Sequence, residues 1–233
     1  MDLVSTQSAP LVAAVYTGRG LDQQVAAVAP EVLGGARLMS ILDDALIFDI
    51  NRDGITPAVT RRVLRYYESA EDAGADVVLN TCSSIGDLVE LGRAVIGVPI
   101  VRIDEPMAED AVKNFARIGV VATLESTLAP TRRLLLAKAE SSGRRVQLMA
   151  RVATGAYQAL ASGDGEKHDS LVAEEAAALG GDVDAVVLAQ ASMARMRDRL
   201  EAAAGVPVLT SLRSGLEEVK RTLASSRGSG PSA

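Results

Sequence analysis

The sequence predicts an α/β protein with two similar parallel-sheet lobes, related by a pseudo-twofold axis, and a candidate active site in the cleft between them. Two observations indicate this fold class. Short apolar runs rich in Val alternate with helical patterns along the 233 residues, which is typical of parallel strands buried beneath helices. In addition, segments of the first half resemble segments of the second half at one constant spacing.

This internal repeat is clearest where Gly97-Val98-Pro99-Ile100-Val101 matches Gly205-Val206-Pro207-Val208-Leu209, an offset of 108 residues between positions 97 and 205. The same offset pairs three further sets: Asp76 with Asp184, Cys82 with Gln190, and Leu11–Ala14 with Gly119–Ala122. The repeat predicts a first lobe of residues 1–105 plus 212–223 and a second lobe of residues 106–211. Residues 224–233, rich in Ser and Gly, are expected to be disordered.

The first half alternates strand and helix. Leu11–Val15 is an apolar run closed by Thr17-Gly18-Arg19-Gly20, which predicts a strand and its loop, with a short helix over 21–29. Residues 36–48 fit neither template clearly. Thr56-Pro57 predicts a helix start, with Thr as the cap and Pro in the first turn, and Gly74 predicts its end. The remaining elements of this half are a strand from 76, a short helix and a strand at 97–101.

The second half repeats this alternation, and its apolar runs and helical patterns are read by the same rules. Its predicted elements are a helix over 105–115, a strand over 117–122, a helix through Leu136, a strand over 146–149, a helix over 169–179, a strand over 184–188, a helix over 192–203, a strand over 206–209 and a helix over 214–223.

Composition argues against several classes of partner. The net charge is −6, and Lys and Arg form no cluster interleaved with aromatic residues, so neither nucleic acid nor an anionic membrane is expected to bind. No apolar run approaches the length of a membrane span. A single cysteine allows no internal disulfide, and the first ten residues lack the pattern of a signal peptide. We therefore expect a cytoplasmic protein.

The most informative stretch runs from Asp76 to Asp87 and contains Cys82, the only cysteine. An apolar β-branched run ends in small hydroxyl residues and then begins a helical pattern, so Cys82 is predicted where a strand leads into a helix amino terminus. The positive end of the helix dipole favours a thiolate at such a position. The alternative is a buried, inert cysteine.

Three predicted features occur together in this sequence. They are two duplicated α/β lobes, a strand-end cysteine in Asn80-Thr81-Cys82 six residues after Asp76, and a counterpart six residues after Asp184. This combination resembles the aspartate/glutamate/hydantoin racemase superfamily, which also contains maleate isomerase and arylmalonate decarboxylase. The resemblance spans roughly residues 11–223. It implies an enzyme without cofactor or metal, in which one cysteine from each lobe acts on opposite faces of a carbon beside a carboxylate. We also expect a homo-oligomer that binds a small carboxylate.

The resemblance also assigns candidate residues by position. Cys82 corresponds to the first catalytic cysteine. Thr17 follows the first strand, where the superfamily often places ligand-contacting residues. The other implied substrate-binding residues are Asn80, Thr81, Ser83 and Ser84 around the cysteine, and Thr123, Ser126 and Thr127 in the threonine-rich turn of the second lobe.

The chain departs from the family pattern in the second lobe. Gln190 occupies the place of the second cysteine, or Ala191 does if the apolar runs 77–79 and 186–188 are superposed instead, and neither can act as a base. Ser192 is the nearest hydroxyl. The only histidine, His168, is predicted to lie in an exposed loop. We therefore take Cys82, Gln190 and Ser192 as the catalytic candidates and expect proton delivery from one face only.

Three functions remain open from the sequence. The first is a racemase-like isomerase or a decarboxylase that uses a single cysteine as acid or base. The second is a cis-trans isomerase in which Cys82 acts as a nucleophile. The third is a small-carboxylate-binding protein that has kept the cleft and lost the chemistry.

Overall fold

The structure of the protein is a computed structural model that describes residues 9–228. The strands in this range are β1 (Leu11–Tyr16), β2 (Arg37–Leu42), β3 (Val77–Asn80), β4 (Ile100–Arg102), β5 (Arg117–Ala122), β6 (Gln147–Val152), β7 (Ala185–Leu188) and β8 (Val208–Leu209). The helices are α1 (Leu21–Leu33), α2 (Leu46–Asp53), α3 (Pro57–Asp72), α4 (Val89–Val95), α5 (Glu105–Asn114), α6 (Glu125–Ser141), α7 (Ala156–Ala161), α8 (Gly165–Ala177), α9 (Arg197–Ala204) and α10 (Ser211–Gly228). None of these helices is long and apolar enough to cross a membrane.

The strands form two four-stranded sheets of identical topology. Their orders are β2-β1-β3-β4 and β6-β5-β7-β8, and every pair is parallel. Each sheet is covered by helices on both faces, which explains why the central strands read as continuous apolar runs. The predicted α/β fold with two similar parallel-sheet lobes is confirmed.

The strand registers correct one part of the predicted repeat. Val12 lies beside Val77 in the first sheet, and Ile118 lies beside Ala185 in the second. β3 and β7 therefore correspond at the predicted offset of 108, whereas β1 and β5 correspond at 106. The match of Leu11–Ala14 with Gly119–Ala122 is wrong by two residues. Because side chains alternate along a strand with a period of two, a two-residue shift preserves the apolar pattern and hides the error.

Equivalent hydrogen bonds connect the central strands of both lobes. The Asp76 carboxylate accepts a hydrogen bond from the backbone N–H of Leu11 at 2.7 Å, and the Asp184 carboxylate accepts one from the N–H of Arg117 at 2.8 Å. At the other end of the strands, Thr81 N–H donates to Val15 O at 3.2 Å, and Ala189 N–H donates to Val121 O at 2.9 Å. These equivalent bonds place the carboxyl ends of β3 and β7 in matching positions.

Two helices pack against the sheet of the other half of the chain. Helix α5 follows β4 of the first sheet, yet its buried side chains, which include Met107 and Val112, pack with β5 and β7. Helix α10 follows β8 of the second sheet, and its Leu216 and Val219 pack with β1 and β3. The two lobes are therefore joined by exchanged helices as well as by the facing surfaces of the cleft.

Three segments differ from their sequence predictions. The unassigned residues 36–48 form β2 and the start of α2. β2 is an edge strand in which half of the residues are exposed and none is buried, so it lacks a continuous buried apolar run. Helix α8 begins at Gly165, four residues before the predicted start. The prediction that the chain is disordered from Ala224 is wrong for residues 224–228, which belong to α10. Residues 229–233 of that predicted tail, like residues 1–8, lie outside the described range.

A buried ion pair supports the segment that follows β3. Arg102, at the end of β4, donates from Nε to Asp104 Oδ1 at 2.7 Å and from Nη2 to Oδ2 at 3.2 Å. Asp104 is fully buried. The Arg102 guanidinium lies against Gly86, where a Cβ atom would come within 2.4 Å of it. The glycine therefore allows the arginine to pack directly on the backbone of the segment that contains Cys82.

Gly215→Ala is expected to destabilise the protein, although alanine normally favours a helix over glycine by about 1 kcal/mol. Gly215 is in α10, and an added Cβ would lie 2.5 Å from Ile103 Cγ1 and 2.7 Å from Ile103 O. Overpacking of this kind costs about 1–3 kcal/mol, so we expect a lower midpoint in urea unfolding. Gly165→Ala is the control, because no atom lies within 4 Å of its added Cβ. Equal midpoints for the two variants would contradict the close approach of α10 to β4.

Candidate active site

A cavity of about 140 Å³ lies where the carboxyl ends of the two sheets face each other. The wall includes the residues that directly follow strands β1, β3 and β5, and Gln190, the second residue after β7, as expected for parallel sheets. The lining residues are Thr17, Gly18, Arg19, Leu21, Ile47, Thr81, Cys82, Ser83, Ser84, Thr123, Leu124, Thr127, Tyr157, Leu160, His168, Gln190, Ala191 and Ser192.

Cys82 lies on this wall in extended backbone (φ −120°, ψ 119°), directly before a six-residue 3₁₀ segment, Ser83–Leu88. Its carbonyl oxygen accepts a hydrogen bond from Asn80 Nδ2 at 3.1 Å, and Asn80 Oδ1 in turn accepts one from the Tyr67 hydroxyl at 3.3 Å. Burial raises the pKa of Tyr67, so the phenol stays protonated as a donor. Asn80 is fully buried behind the cysteine and does not line the cavity. It orients the Cys82 backbone.

Gln190 occupies in the second lobe the position that Cys82 occupies in the first. It has nearly the same backbone angles (φ −121°, ψ 128°) and precedes a second 3₁₀ segment, Ala191–Met196. Gln190, and not Ala191, is therefore the counterpart of Cys82. Ala191 is the next residue and is buried. The Gln190 side chain is bound to Thr123: Oε1 accepts from Thr123 N at 2.9 Å, and Nε2 donates to Thr123 Oγ1 at 2.5 Å.

Four of the predicted binding hydroxyls are engaged within the protein. Ser83 donates to Ala189 O of the other lobe at 3.0 Å, and Thr81 donates to Val15 O at 2.8 Å. A hydroxyl has a single proton to donate, so neither can also donate to a bound anion. Ser84 and Thr127 share a hydrogen bond of 3.3 Å across the cleft, which leaves one proton between them for a ligand.

Three other hydroxyls on the cavity wall keep their protons free. Those of Thr17 and Ser192 make no hydrogen bond to any part of the chain between residues 9 and 228, and Thr123 Oγ1 acts only as an acceptor, from Gln190. Thr17 and Thr123 are equivalent, since each directly follows the first strand of its lobe. The cavity therefore presents hydrogen-bond donors from both lobes to an anion.

Ser126 lies apart from the other predicted binding residues. It borders a neighbouring opening on the far side of Leu124, together with Phe48 and Gln158. Its hydroxyl is buried without a partner among the described residues. The sequence placed Ser126 with Thr123 and Thr127 because all three belong to one turn, but the first turn of α6 directs Ser126 away from the cavity.

His168 is the main cavity residue that sequence reasoning missed. The prediction of an exposed loop is wrong: His168 is 3% exposed and lies in the first turn of α8. Asp164 caps this helix, and its carboxylate accepts a hydrogen bond from Lys167 N at 3.0 Å. An Asp directly before a helical pattern is an N-cap signal in the sequence. Asp164 could therefore have extended the predicted helix back to include His168.

A carboxylate and an arginine orient the imidazole of His168. His168 Nδ1 is 2.7 Å from Asp169 Oδ1, and Arg195 donates to both oxygens of Asp169 at 2.5 and 2.6 Å. Burial alone would raise the pKa of Asp169, but the hydrogen bonds from Arg195 and His168 outweigh it and hold this pKa below its ordinary value. Asp169 is therefore a carboxylate that can bind the imidazole.

The rest of the wall is largely apolar, with Leu21, Ile47, Leu124, Tyr157 and Leu160 lining it. Arg19 is the one lining residue with a permanent charge; its side chain is 81% exposed and pairs with Asp44 at 2.5 Å. Nowhere between residues 9 and 228 do three or more His, Cys, Asp or Glu side chains come together in a way that could hold a metal ion.

Sequence comparison gives one clear result. Residues 17–219 match the family model described as Asp/Glu/Hydantoin racemase. Among curated protein sequences, none shows a significant match.

Solved structures of similar fold include several racemases. An allantoin racemase from Klebsiella pneumoniae is 19% identical, with 94% of this chain and 89% of that chain covered and a TM-score of 0.65. A glutamate racemase from Francisella tularensis subsp. tularensis SCHU S4, in complex with D-glutamate, is 12% identical, with 94% and 82% covered and a TM-score of 0.75. A mutant arylmalonate decarboxylase in a sulfate-associated form is 17% identical, with 95% of each chain covered and a TM-score of 0.59. At these identities the likeness establishes the fold.

Proposed function

Because the chain belongs to the Asp/Glu/hydantoin racemase family, we propose that it is a cofactor-independent enzyme that forms and protonates a carbanion beside the carboxylate of a small acid. Cys82 is its only thiol acid/base. The observation that supports this most directly is the position of Cys82, on the wall of an interlobe cavity that also contains free hydroxyl donors from both lobes.

In the proposed reaction the Cys82 thiolate removes the α-proton of the substrate. The C–H bond breaks, an S–H bond forms, and the electron pair delocalises into the carboxylate as an enediolate. Thr17, Thr123 and Ser192 donate hydrogen bonds to the carboxylate oxygens, which gain charge as the enediolate forms, so these bonds strengthen during the reaction. Gln190 cannot accept a proton as a base; it holds the Thr123 hydroxyl and N–H in place.

The apolar wall favours a substrate with one carboxylate and an apolar substituent. A second carboxylate would lose its hydration against Leu21, Leu124 and Leu160, and unpaired burial of a charge is costly. Arg19, the lining residue with a permanent charge, is already paired with Asp44. In heavy water we therefore expect exchange of the α-hydrogen of 2-phenylpropionate and no exchange for aspartate, both followed by NMR.

Iodoacetate tests the reactive thiol and the carboxylate site together. Alkylation forms a bond from the Cys82 sulfur to carbon and releases iodide, and because the chain has one cysteine, the mass increase reports on Cys82 alone. We expect the rate ratio of iodoacetate to iodoacetamide to exceed that of free N-acetylcysteine by about tenfold. A hydrogen bond to a charged group is worth about 1.5–3 kcal/mol, enough for such a factor.

Two threonine variants make this experiment specific. Thr123→Val should lower the ratio toward that of the free thiol, whereas Thr222→Val should leave it unchanged, since Thr222 is in α10 and binds only the backbone of Glu218. A ratio equal to that of N-acetylcysteine in the unaltered protein, without α-hydrogen exchange of 2-phenylpropionate, would refute the proposal.

Decarboxylation is the second candidate reaction, and the presence of Gln190 opposite Cys82 favours it, because a single thiol suffices to protonate a carbanion left by loss of carbon dioxide. In that case the carboxylate that loses its hydration against the apolar wall would be the one released, so 2-methyl-2-phenylmalonate should give carbon dioxide and 2-phenylpropionate. Release of carbon dioxide without exchange into added 2-phenylpropionate would identify the decarboxylase.

A further inference from the structure

His168 and Cys82 line the same cavity from different lobes. Cys82 follows β3 of the first lobe. His168 is on α8, whose Val172 and Ala176 pack in the core of the second lobe. Arg195, which binds Asp169, comes from the 3₁₀ segment that begins directly after Gln190. The imidazole is therefore held, through Asp169, by the 3₁₀ segment Ala191–Met196. This segment belongs to the second lobe, which has no thiol.

The orientation of the ring leaves one nitrogen available. Nδ1 is engaged by Asp169, whereas Nε2, on the other edge of the ring, has no hydrogen-bond partner within residues 9–228. The buried side-chain atoms of this range that lack a partner are the hydroxyl oxygens of Tyr16 and Ser126. Nε2 is not one of them, so it is not fully buried. Since His168 lines the cavity, Nε2 is the nitrogen that a bound molecule can reach.

The repeat shows that the two lobes carry complementary groups. Thr56 caps α3 and Asp164 caps α8 through equivalent side-chain bonds, so these helices correspond at the same offset of 108 that relates Cys82 to Gln190. At this offset the counterpart of His168 is Thr60, whose hydroxyl donates to the Thr56 carbonyl of its own helix. The first lobe thus has a thiol and no imidazole, and the second lobe has an imidazole and no thiol.

We propose that His168 is the second proton-transfer group of the site and acts through Nε2 on the face of the substrate carbon opposite to Cys82. This rests on the function proposed above. Histidine is the side chain that enzymes use most often for proton transfer. Asp169 and Arg195 are positioning residues, which fix the ring through Nδ1 and do not contact the substrate.

The proton balance of the step is simple. In one direction Cys82 takes the α-proton, and His168 with both nitrogens protonated gives its Nε2 proton to the opposite face, so the N–H bond breaks and a new C–H bond forms. The product has inverted configuration, Cys82 is left as the thiol and His168 retains its Nδ1 proton toward Asp169. The reverse direction uses the same groups in the opposite order, and exchange with solvent resets both.

A binding experiment on the unaltered protein tests the location of His168. Benzoate carries a carboxylate on an apolar ring and has no α-hydrogen, so it can occupy the cavity without reacting. Because His168 is the only histidine, its ring protons and carbons give one set of NMR signals. We expect benzoate to shift these signals and to slow iodoacetamide alkylation of Cys82 at the same concentration. Protection of Cys82 without any shift at His168 would overturn the inference and leave the proposed function standing.

A stereochemical experiment tests the role of His168. The unaltered protein should interconvert (R)- and (S)-2-phenylpropionate in heavy water. His168→Asn, which retains a donor toward Asp169 but no base, should lower interconversion at least 100-fold and still exchange deuterium into one enantiomer with retention. Cys82→Ala should leave exchange only in the other enantiomer. Interconversion at an unchanged rate in His168→Asn would overturn the inference, whereas absence of both exchange and benzoate protection in the unaltered protein would refute the proposed function as well.

Arg195 provides the test of positioning. Arg195→Gln removes the bidentate bond to Asp169, so we expect kcat for interconversion to fall about tenfold while KM changes little. Arg197→Gln is the matched control, because Arg197 lies in α9 and pairs with Glu201 at 3.4 Å. Equal kcat values for the two variants would show that the Asp169–Arg195 pair does not position the imidazole.

Discussion

Replacement of Cys82 by alanine is expected to lower the rate at which the protein interconverts the enantiomers of 2-phenylpropionate by about 10²–10⁴-fold, the usual contribution of a positioned acid or base. The chain has no second thiol, and the proposed role of His168 on the cavity wall is to act on the opposite face of the carbon, so it does not replace Cys82. The measurement is chiral chromatography of the acid after incubation with each variant.

The control for this variant is the integrity of the cavity. Cys82 packs at the edge of the first-lobe core, so we expect loss of its sulfur to reduce the free energy of unfolding by only about 1 kcal/mol, and benzoate should still shift the His168 signals. Full interconversion activity in Cys82→Ala would exclude Cys82 as the acid/base. If the unaltered protein binds benzoate but has no activity on any α-substituted acid, the binding-protein alternative gains support.

The largest expected loss of stability comes from Asp104→Asn, which should lower the free energy of unfolding by about 3–5 kcal/mol, the typical cost of removing one partner of a buried ion pair. The Arg102 side chain is 8% exposed and that of Asp104 is 1% exposed. Burial lowers the pKa of Arg102, but the charge and hydrogen bond of Asp104 outweigh this effect and hold it above the ordinary value. The variant therefore leaves a guanidinium cation with its main counter-charge removed.

Urea unfolding followed by circular dichroism measures this effect, with Asp182→Asn as the matched control. Asp182 is exposed, and its side chain makes no hydrogen bond or ion pair with the described part of the chain. Asp87, 3.6 Å from Arg102, is a second counter-charge whose side chain is 43% exposed. A loss below about 1 kcal/mol in Asp104→Asn would mean that Asp87 and solvent compensate for the missing carboxylate.

The sequence could predict the features that depend on local patterns. β3, β7 and the turns after them were recognisable because buried parallel strands are continuous apolar runs, and the repeat related Cys82 to Gln190 at the correct offset. β2 could not be recognised, because an edge strand without a buried residue has no such run. The offset between β1 and β5 was missed by two residues, since the period of a strand makes that error invisible.

The site was harder to predict because it depends on contacts between distant segments. No local pattern shows that the Ser83 proton is bound by Ala189 O, 106 residues further along the chain, or that Ser126 faces a different opening. The expectation of proton delivery from one face followed from the pairing of one thiol, Cys82, with one amide, Gln190, and no local pattern placed a histidine at the cavity. His168 is 86 residues from Cys82 in the chain, and only the packing of α8 against the second sheet brings it to the cavity wall.

The exchange of α5 and α10 means that neither half of the chain is a self-sufficient folding unit. A chain that ended after α5 would lack α10, whose apolar residues cover one face of the first sheet together with α1. Such a half could cover both faces of its sheet only by pairing with a second copy and trading its last helix, in the manner of a domain-swapped dimer. A homodimer of half-length chains is therefore the simplest ancestor for this architecture, and fusion of its subunits would have freed each lobe to acquire its own side chain opposite the other, a thiol in one and an imidazole in the other.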